Sequence, residues 1–135
     1  MANERALSLL GIANKGGKVA IGEDPVGTLC KAGKARLLIL ASDAAGHTLR
    51  RANSFASLHD TPLVQIDGDK AAIGAMFSRS SVAMAAISDI ALAEGFLKAL
   101  DEPERYAEQM EAVRKKAEYI QARKQQRGSR KQGKR

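Results

Sequence analysis

The sequence of 135 residues has few of the side chains that build covalent or aromatic sites. It contains one cysteine, Cys30, and no tryptophan, and aromatic residues make up 4% of the chain. A single cysteine excludes an internal disulfide framework and a zinc site built on several cysteines, and it is typical of a reducing compartment. So few aromatic residues also argue against the stacking platform with which many proteins bind single-stranded nucleic acid.

Long apolar runs are missing as well. The longest candidate, residues 82–93, is interrupted by Ser88 and Asp89, whereas a membrane helix needs about 20 apolar residues. Residues 1–5 lack the basic and apolar blocks of a secretory signal. We therefore expect a soluble, cytoplasmic protein with no membrane partner.

Basic residues outnumber acidic ones, and the excess lies towards the end of the sequence. Lys and Arg number 22 against 15 Asp and Glu, which gives a net charge of +7. From Ala112 onward there are ten basic residues and one acidic residue, Glu118. Such an excess favours an anionic partner such as nucleic acid. Residues 123–135 have no apolar side chain, so we expect them to form a disordered basic tail that contacts phosphates.

Helical and strand patterns alternate along residues 1–100. Apolar spacing predicts helices over residues 3–15, 23–32, 48–59, 70–77 and 90–100, and strands over 18–21, 36–41, 63–66 and 82–87. Asp69 and Asp89 are expected to cap the helices that follow them, and Ser42 or Asp43 to cap the third helix. The alternation predicts an α/β domain over residues 1–100, with a small central sheet and helices on both faces. A charged helix over residues 101–122 is expected to lead into the tail.

Patterns typical of enzymes are not complete in this sequence. Gly16-Gly17-Lys18 fails as a phosphate-binding loop because Ile12 stands where the first glycine belongs and Val19 replaces the magnesium-binding hydroxyl. His47 and His59 do not have the spacing of a metal pair. Nothing resembles a Ser–His–Asp arrangement. We therefore expect a protein that is not an enzyme, with no catalytic residue, no metal site and no cofactor.

Two loops are candidate binding sites for phosphate groups. One covers residues 15–24 and leads into the second predicted helix, and the other is the polar, cationic segment 78–81. Loops and helix N-termini offer backbone N–H groups to phosphates. Three further cations lie where the second helix ends and the second strand begins. The candidates from these segments are Lys15, Lys18, Gly22, Lys31, Lys34, Arg36, Ser78, Arg79, Ser80 and Ser81.

The order of these segments resembles a known family. Residues 9–18 resemble its bacterial "LGLA…GK" opening, and Gly33–Ala44 resembles its "GKAKLVLLAEDA" strand. Residues 61–64 are similar to its "VPV" segment, and residues 73–89 to its "LG…VAVTD" ending. Over residues 4–100 the sequence is thus similar to the kink-turn RNA-binding ribosomal protein family, the L-seven-Ae and L-thirty-e group, and especially to its small bacterial members.

The resemblance implies a three-layer α-β-α sandwich, with a mixed sheet of about four strands, that binds structured RNA. It implies that the loop into the second helix docks in the groove of a kink-turn and that the segment 78–81 covers extruded bases. On this basis Glu23, Asp24 and Thr28 join the candidate RNA-binding residues. The implied partners are structured RNA, rRNA in particular, and ribosomal proteins, and the implied form is a cytoplasmic, ribosome-associated monomer.

The sequence departs from the archaeal family pattern at three positions. Asp24 and Pro25 stand in place of Asn and Glu, and Thr28 stands in place of Lys. An ionised Asp24 accepts hydrogen bonds but repels phosphate. These departures favour an alternative, a protein-interaction adaptor of the same fold in which RNA recognition is weakened or lost. A third possibility is a small enzyme with its site around Asp43 and Asp89, although helix capping also explains both residues.

Overall fold

A computed structural model describes residues 3–133, and their side chains as far as residue 127. Within that range the chain forms six helices and four strands. In chain order these are α1 (Glu4–Lys15), β1 (Val19–Ile21), α2 (Glu23–Lys31), β2 (Leu37–Leu40), α3 (Gly46–Ser57), β3 (Leu63–Gln65), α4 (Lys70–Ala75), β4 (Met84–Ile87), α5 (Ile90–Leu100) and α6 (Ala107–Gly133). Every predicted element of residues 1–100 is present, with bounds that differ by at most a few residues.

The four strands form one mixed sheet in the order β1-β4-β2-β3. β4 lies antiparallel to both of its neighbours, and β2 and β3 are parallel. In this register Ala86 of β4 pairs with Ala20 on one side and with Leu38 on the other. The mixed sheet of about four strands is therefore confirmed.

Helices cover both faces of the sheet. Along β2 the side chains of Leu37 and Ile39 enter a core with α1, α4, α5 and α6, whereas those of Leu38 and Leu40 enter a second core with α2 and α3. All four side chains are buried, as expected for a central strand between two helical layers. This arrangement confirms the α/β class and the three-layer α-β-α sandwich. Among residues 3–133 no helix is long and apolar enough to cross a membrane.

Two of the predicted helix caps are confirmed and one is wrong. The carboxylates of Asp69 and Asp89 accept hydrogen bonds from the third N–H of α4 and of α5, at 2.8 and 3.0 Å. Asp43 does not cap α3, which begins after Ala45 without a side-chain cap. Instead its carboxylate accepts a 2.8 Å bond from the backbone N–H of Lys70. The prediction assumed that Asp43 caps the helix that follows it in the chain. The fold instead brings the start of α4 next to the end of β2, so the carboxylate binds there.

The last helix differs from its predicted form at both ends. α5 ends at Leu100 and is followed by Asp101, which is left-handed at φ 56°, and α6 begins only at Ala107. α6 then continues to Gly133, where a disordered segment from residue 123 was expected. Lys, Arg and Gln have high helix propensity, and extending an existing helix is far easier than nucleating one. The expectation is therefore not met over residues 123–133, and residues 134–135 lie outside the described part of the chain.

The beginning of α6 is anchored to the sandwich. Tyr106, just before the helix, and Val113 within it are buried in the core. The Tyr106 hydroxyl donates to the carbonyl of Gln65 at 3.2 Å, and the Gln109 amide donates to that of Leu63 at 3.1 Å. These carbonyls belong to β3, which is an edge strand, so α6 protects an edge that would otherwise be open to pairing.

Candidate functional site

The two predicted loops lie at the same end of the sheet. β1 leads into α2 at this end, and the segment before β4 returns to it. Because β1 and β4 are antiparallel, the end of one lies beside the start of the other, and the backbone N–H of Gly22 donates to the carbonyl of Met84 at 2.9 Å. We call the surface formed by residues 22–28 and 78–81 the loop face.

The segment 78–81 is held against α4 by close backbone contact. The N–H of Arg79 donates to the carbonyl of Gly74 at 2.9 Å, and all four residues of the segment are exposed. A Cβ atom on Gly74 would lie 2.7 Å from the Arg79 oxygen and 2.9 Å from the Ser81 nitrogen. Only glycine permits this approach. The family resemblance was the one signal in the sequence that included Gly74, because the loop it contacts has a position that only the fold reveals.

The first turn of α2 has the backbone N–H groups of Glu23 and Asp24, whereas Pro25 at the third position has none. Gly22, the residue before the helix, has a positive φ of 92°, which favours glycine over other residues. Because it has no side chain, it cannot cap the helix. Uncapped N–H groups and the helix dipole make such a terminus favourable for anions. Further along, Gly27 packs so closely on the Phe55 ring that a Cβ would lie 2.8 Å from its Cζ atom. This contact fixes α2 against α3.

The loop face itself carries two acids and one cation, and Arg51 of α3 adds a second cation beside it. Glu23 and the exposed Asp24 lie in the first turn of α2. Arg51 of α3 reaches both carboxylates, at 3.6 Å from Glu23 and 3.9 Å from Asp24, and its guanidinium lies over the Phe55 ring at 5.3 Å from the centroid. With Arg79 on the neighbouring loop, the two acids face two cations. Arg51 escaped the sequence analysis because it lies far along the chain, on the middle of α3.

The predicted site residues separate into two groups. The loop face includes Gly22, Glu23, Asp24, Thr28, Ser78, Arg79, Ser80 and Ser81. The cations Lys15, Lys18, Lys31, Lys34 and Arg36 lie at the opposite end of the sheet. Strand pairing shows this: the Lys18 carbonyl accepts from the N–H of Ser88 after β4 ends, and the N–H of Arg36 donates to the carbonyl of Ile87. α2 alone, with nine residues, separates the two ends by about 13 Å at 1.5 Å per residue.

Helix α6 adds cations to that opposite end. Between α6 and the starts of β2 and β3 lies a cleft of about 410 Å³. We call it the far cleft. The residues that line it include Gly33, Arg36, His59, Lys115, Lys116 and Tyr119. The residues of α6 that line the cleft were not predicted as site residues, because nothing in the sequence showed where the last helix packs.

The groups considered for catalysis have structural roles. The carboxylates of Asp43 and Asp89 accept hydrogen bonds from backbone N–H groups at or near helix starts. Cys30 is buried, and desolvation raises the pKa of its thiol above the ordinary value, which keeps it in its unreactive form. Within the described residues, no cluster of three His, Cys, Asp or Glu side chains could hold a metal ion.

Comparison with known proteins yields one curated relative and many structural neighbours. No protein-family model matches the chain. RNA-binding protein YlxQ of Bacillus subtilis is 27% identical over 93 residues, which are 69% of this chain and 92% of that protein. A protein of unknown function from Bacillus halodurans superposes with a TM-score of 0.67 at 24% identity, over 73% of this chain and 98% of its own. The 15.5kD RNA binding protein of Giardia lamblia superposes with a TM-score of 0.58 at 23% identity, over 79% of this chain and 85% of its own. The chain therefore has the fold of these two structural neighbours.

Proposed function

We propose that this protein binds folded RNA of the kink-turn class through its loop face, as a member of the kink-turn RNA-binding family that its sequence resembles. The observation that carries the proposal is that both loops lie at the same end of the sheet, since the N–H of Gly22 donates to the carbonyl of Met84, the first residue of β4, at 2.9 Å. The relative YlxQ and the Giardia neighbour, both described as RNA-binding proteins, support the choice of ligand. We further propose rRNA and ribosomal proteins as the natural partners of a cytoplasmic monomer.

Each part of the loop face has a chemical role in this proposal. The N–H groups at the start of α2 receive a phosphate, with help from the helix dipole. Asp24, which is exposed, accepts hydrogen bonds from base amino groups. Arg79 pairs with a second phosphate, and its loop covers unstacked bases. Arg51 reduces the repulsion between the two acids and the RNA backbone, because it lies within 4 Å of both carboxylates.

The basic half of α6 contributes affinity without sequence preference. Its cations would neutralise phosphates and release counterions, so affinity falls as salt rises. This role replaces that of the predicted disordered tail, since residues 123–133 are helical.

The test compares two RNAs and two variants. Fluorescence anisotropy measures the Kd of the full chain for a kink-turn RNA and for a continuous duplex of equal length. We expect the kink-turn to bind more tightly, and Arg79→Ala to weaken that binding about tenfold, as for the loss of one charge-assisted hydrogen bond of about 1.5 kcal/mol. Lys98→Ala, which removes an exposed cation from α5, is the matched control and leaves the Kd close to wild type.

Equal affinity for both RNAs, together with an unchanged Kd in Arg79→Ala, would contradict the proposal. That result would favour the alternative of a protein-interaction adaptor. The charge of the loop face is the observation in favour of this alternative: it has two acids and one cation, and a face without net positive charge gives no long-range attraction for phosphates.

A further inference from the structure

The far cleft lies away from the loop face, at the end of the sheet where β2 and β3 begin. One wall carries Arg36 and His59, and the other is α6, with Lys115, Lys116 and Tyr119. Its volume of about 410 Å³ falls within the range of small-ligand sites. The loop face uses none of these side chains.

Three cations line the cleft against one acid. Arg36, Lys115 and Lys116 face Asp60 as the single carboxylate among the lining residues. Within residues 3–127 none of the three cations takes part in an ion pair.

The neighbouring residue of α6 behaves differently. Arg114 is fully engaged with Glu111 and Glu118 on the same helix. Of the five N–H donors of Arg36, one makes a long 3.4 Å bond to the carbonyl of Gly33. The cleft therefore collects cationic donors that form no ion pair within the described part of the protein, and an anion is the ligand that suits them.

Two rings stand beside these cations. The Tyr119 side chain is 52% exposed. Its ring centroid lies 5.2 Å from the Lys116 nitrogen and 5.6 Å from the Arg123 guanidinium. The His59 ring packs on Gly33, about 3.5 Å from where a Cβ would stand. Both cations lie over the face of the Tyr119 ring, so a base that stacks on this ring takes the place of a cation, which then pairs with a phosphate.

We propose that the far cleft binds a single-stranded segment of RNA, with its phosphates on Arg36, Lys115 and Lys116 and a base stacked on Tyr119. The identity of the ligand as RNA rests on the proposed function. An unpaired strand is required because bases within a duplex already stack on one another. The loop face and the far cleft thus contact a folded element and its flanking strand on opposite ends of the sheet.

The experiment uses the full chain and a short fluorescein-labelled oligouridylate, which forms no secondary structure. Anisotropy gives its Kd at several potassium chloride concentrations. We expect the double variant Lys115→Gln/Lys116→Gln to reduce the slope of log Kd against log salt by about 1.4, since each single-strand phosphate contact contributes about 0.7. The control Arg5→Gln/Lys98→Gln removes the same charge from the groove between α1 and α5 and keeps the wild-type slope.

The stacking contact has its own pair of variants. Tyr119→Leu should weaken oligouridylate binding roughly tenfold, whereas Tyr119→Phe keeps the ring and the wild-type Kd. Photocrosslinking with thiouridine should label the peptide that contains Tyr119. Circular dichroism confirms that each variant is folded.

If Lys115→Gln/Lys116→Gln and Arg5→Gln/Lys98→Gln changed the salt slope equally, the proposal would be overturned. Such a result would show that the oligouridylate is attracted only by the overall charge of the protein. Equal competition by polyglutamate would overturn it as well, since the cleft would then accept any anionic chain.

A kink-turn RNA without a single-stranded extension distinguishes the far-cleft proposal from the loop-face proposal. If that RNA depends on Arg79 while the oligouridylate is insensitive to Lys115 and Lys116, the far cleft alone is refuted. If that RNA does not bind but the oligouridylate crosslinks to Tyr119, the loop-face proposal alone is refuted.

Discussion

Replacing Gly74 by alanine tests whether α4 positions the segment 78–81 for its proposed contact with RNA. The added Cβ would lie 2.7 Å from the Arg79 carbonyl oxygen, 2.9 Å from the Ser81 nitrogen and 3.1 Å from its Cα. All three are backbone atoms, so no side-chain rotation relieves the overlap. To restore ordinary contact, which begins at 3.4 Å, the loop must retreat by about 0.7 Å.

Two effects of opposite sign determine the stability of this variant. Alanine favours the helix over glycine by about 1 kcal/mol. Overpacking against a constrained backbone costs about 1–3 kcal/mol. We therefore expect a net loss of about 1 kcal/mol, which lowers Tm by roughly 3–5 °C in a domain of this size. The displaced loop should also weaken kink-turn RNA binding about tenfold, as for the loss of one charge-assisted hydrogen bond.

Gly95→Ala is the matched control. Gly95 lies inside α5, and the nearest heavy atom to its added Cβ is the Leu9 Cδ1 atom at 4.0 Å. Here the helix propensity acts alone, so we expect a gain of about 1 kcal/mol and unchanged RNA affinity. Thermal melting by circular dichroism and RNA anisotropy on both variants give the two readouts. A Gly74→Ala variant that melts as high as Gly95→Ala and binds RNA like the wild type would refute the reasoning.

Two further predictions concern stability. Asp89→Ala removes the α5 cap and should lower the free energy of unfolding in urea by about 1 kcal/mol. Asp89→Asn keeps an acceptor and should lower it little. Equal losses of stability in both variants would argue against capping. Because burial raises the pKa of the Cys30 thiol, the unfolded chain loses that proton first, so stability should be full below the unfolded pKa of about 8.5 and fall as pH rises beyond it. The urea midpoint of the wild type, but not that of Cys30→Ala, should show this fall above about pH 8.5, and parallel curves would contradict it.

Much of the fold follows from local patterns. The continuous apolar run in β2 predicted a strand covered on both faces, and Leu37 to Leu40 are all buried. Asp69 and Asp89 predicted helix starts correctly, because a cap and its helix are adjacent in sequence. The Asp43 cap was wrong, since its partner is the N–H of Lys70, 27 residues away.

The candidate site, like the helix caps, was predicted only in part from the sequence. The sequence identified both loops through glycine, charge and family resemblance, and strand pairing brings them together at Gly22 and Met84. It also grouped Lys18 and Arg36 with those loops, although they lie at the other end of the sheet. Nearness in sequence does not imply nearness in space when a strand or a helix lies between.

The sequence by itself determined which segments of residues 1–100 are helices and strands, because side-chain periodicity and capping act over a few residues. Only the tertiary structure decided the strand order, the contact of Gly74 with its loop, and the pairing of Arg51 with Glu23 and Asp24. It also decided that α6 packs along β3 and so brings Lys115 and Lys116 towards Arg36. These arrangements depend on how the apolar faces of distant elements are buried together, and that long-range packing leaves no short-range pattern in the chain.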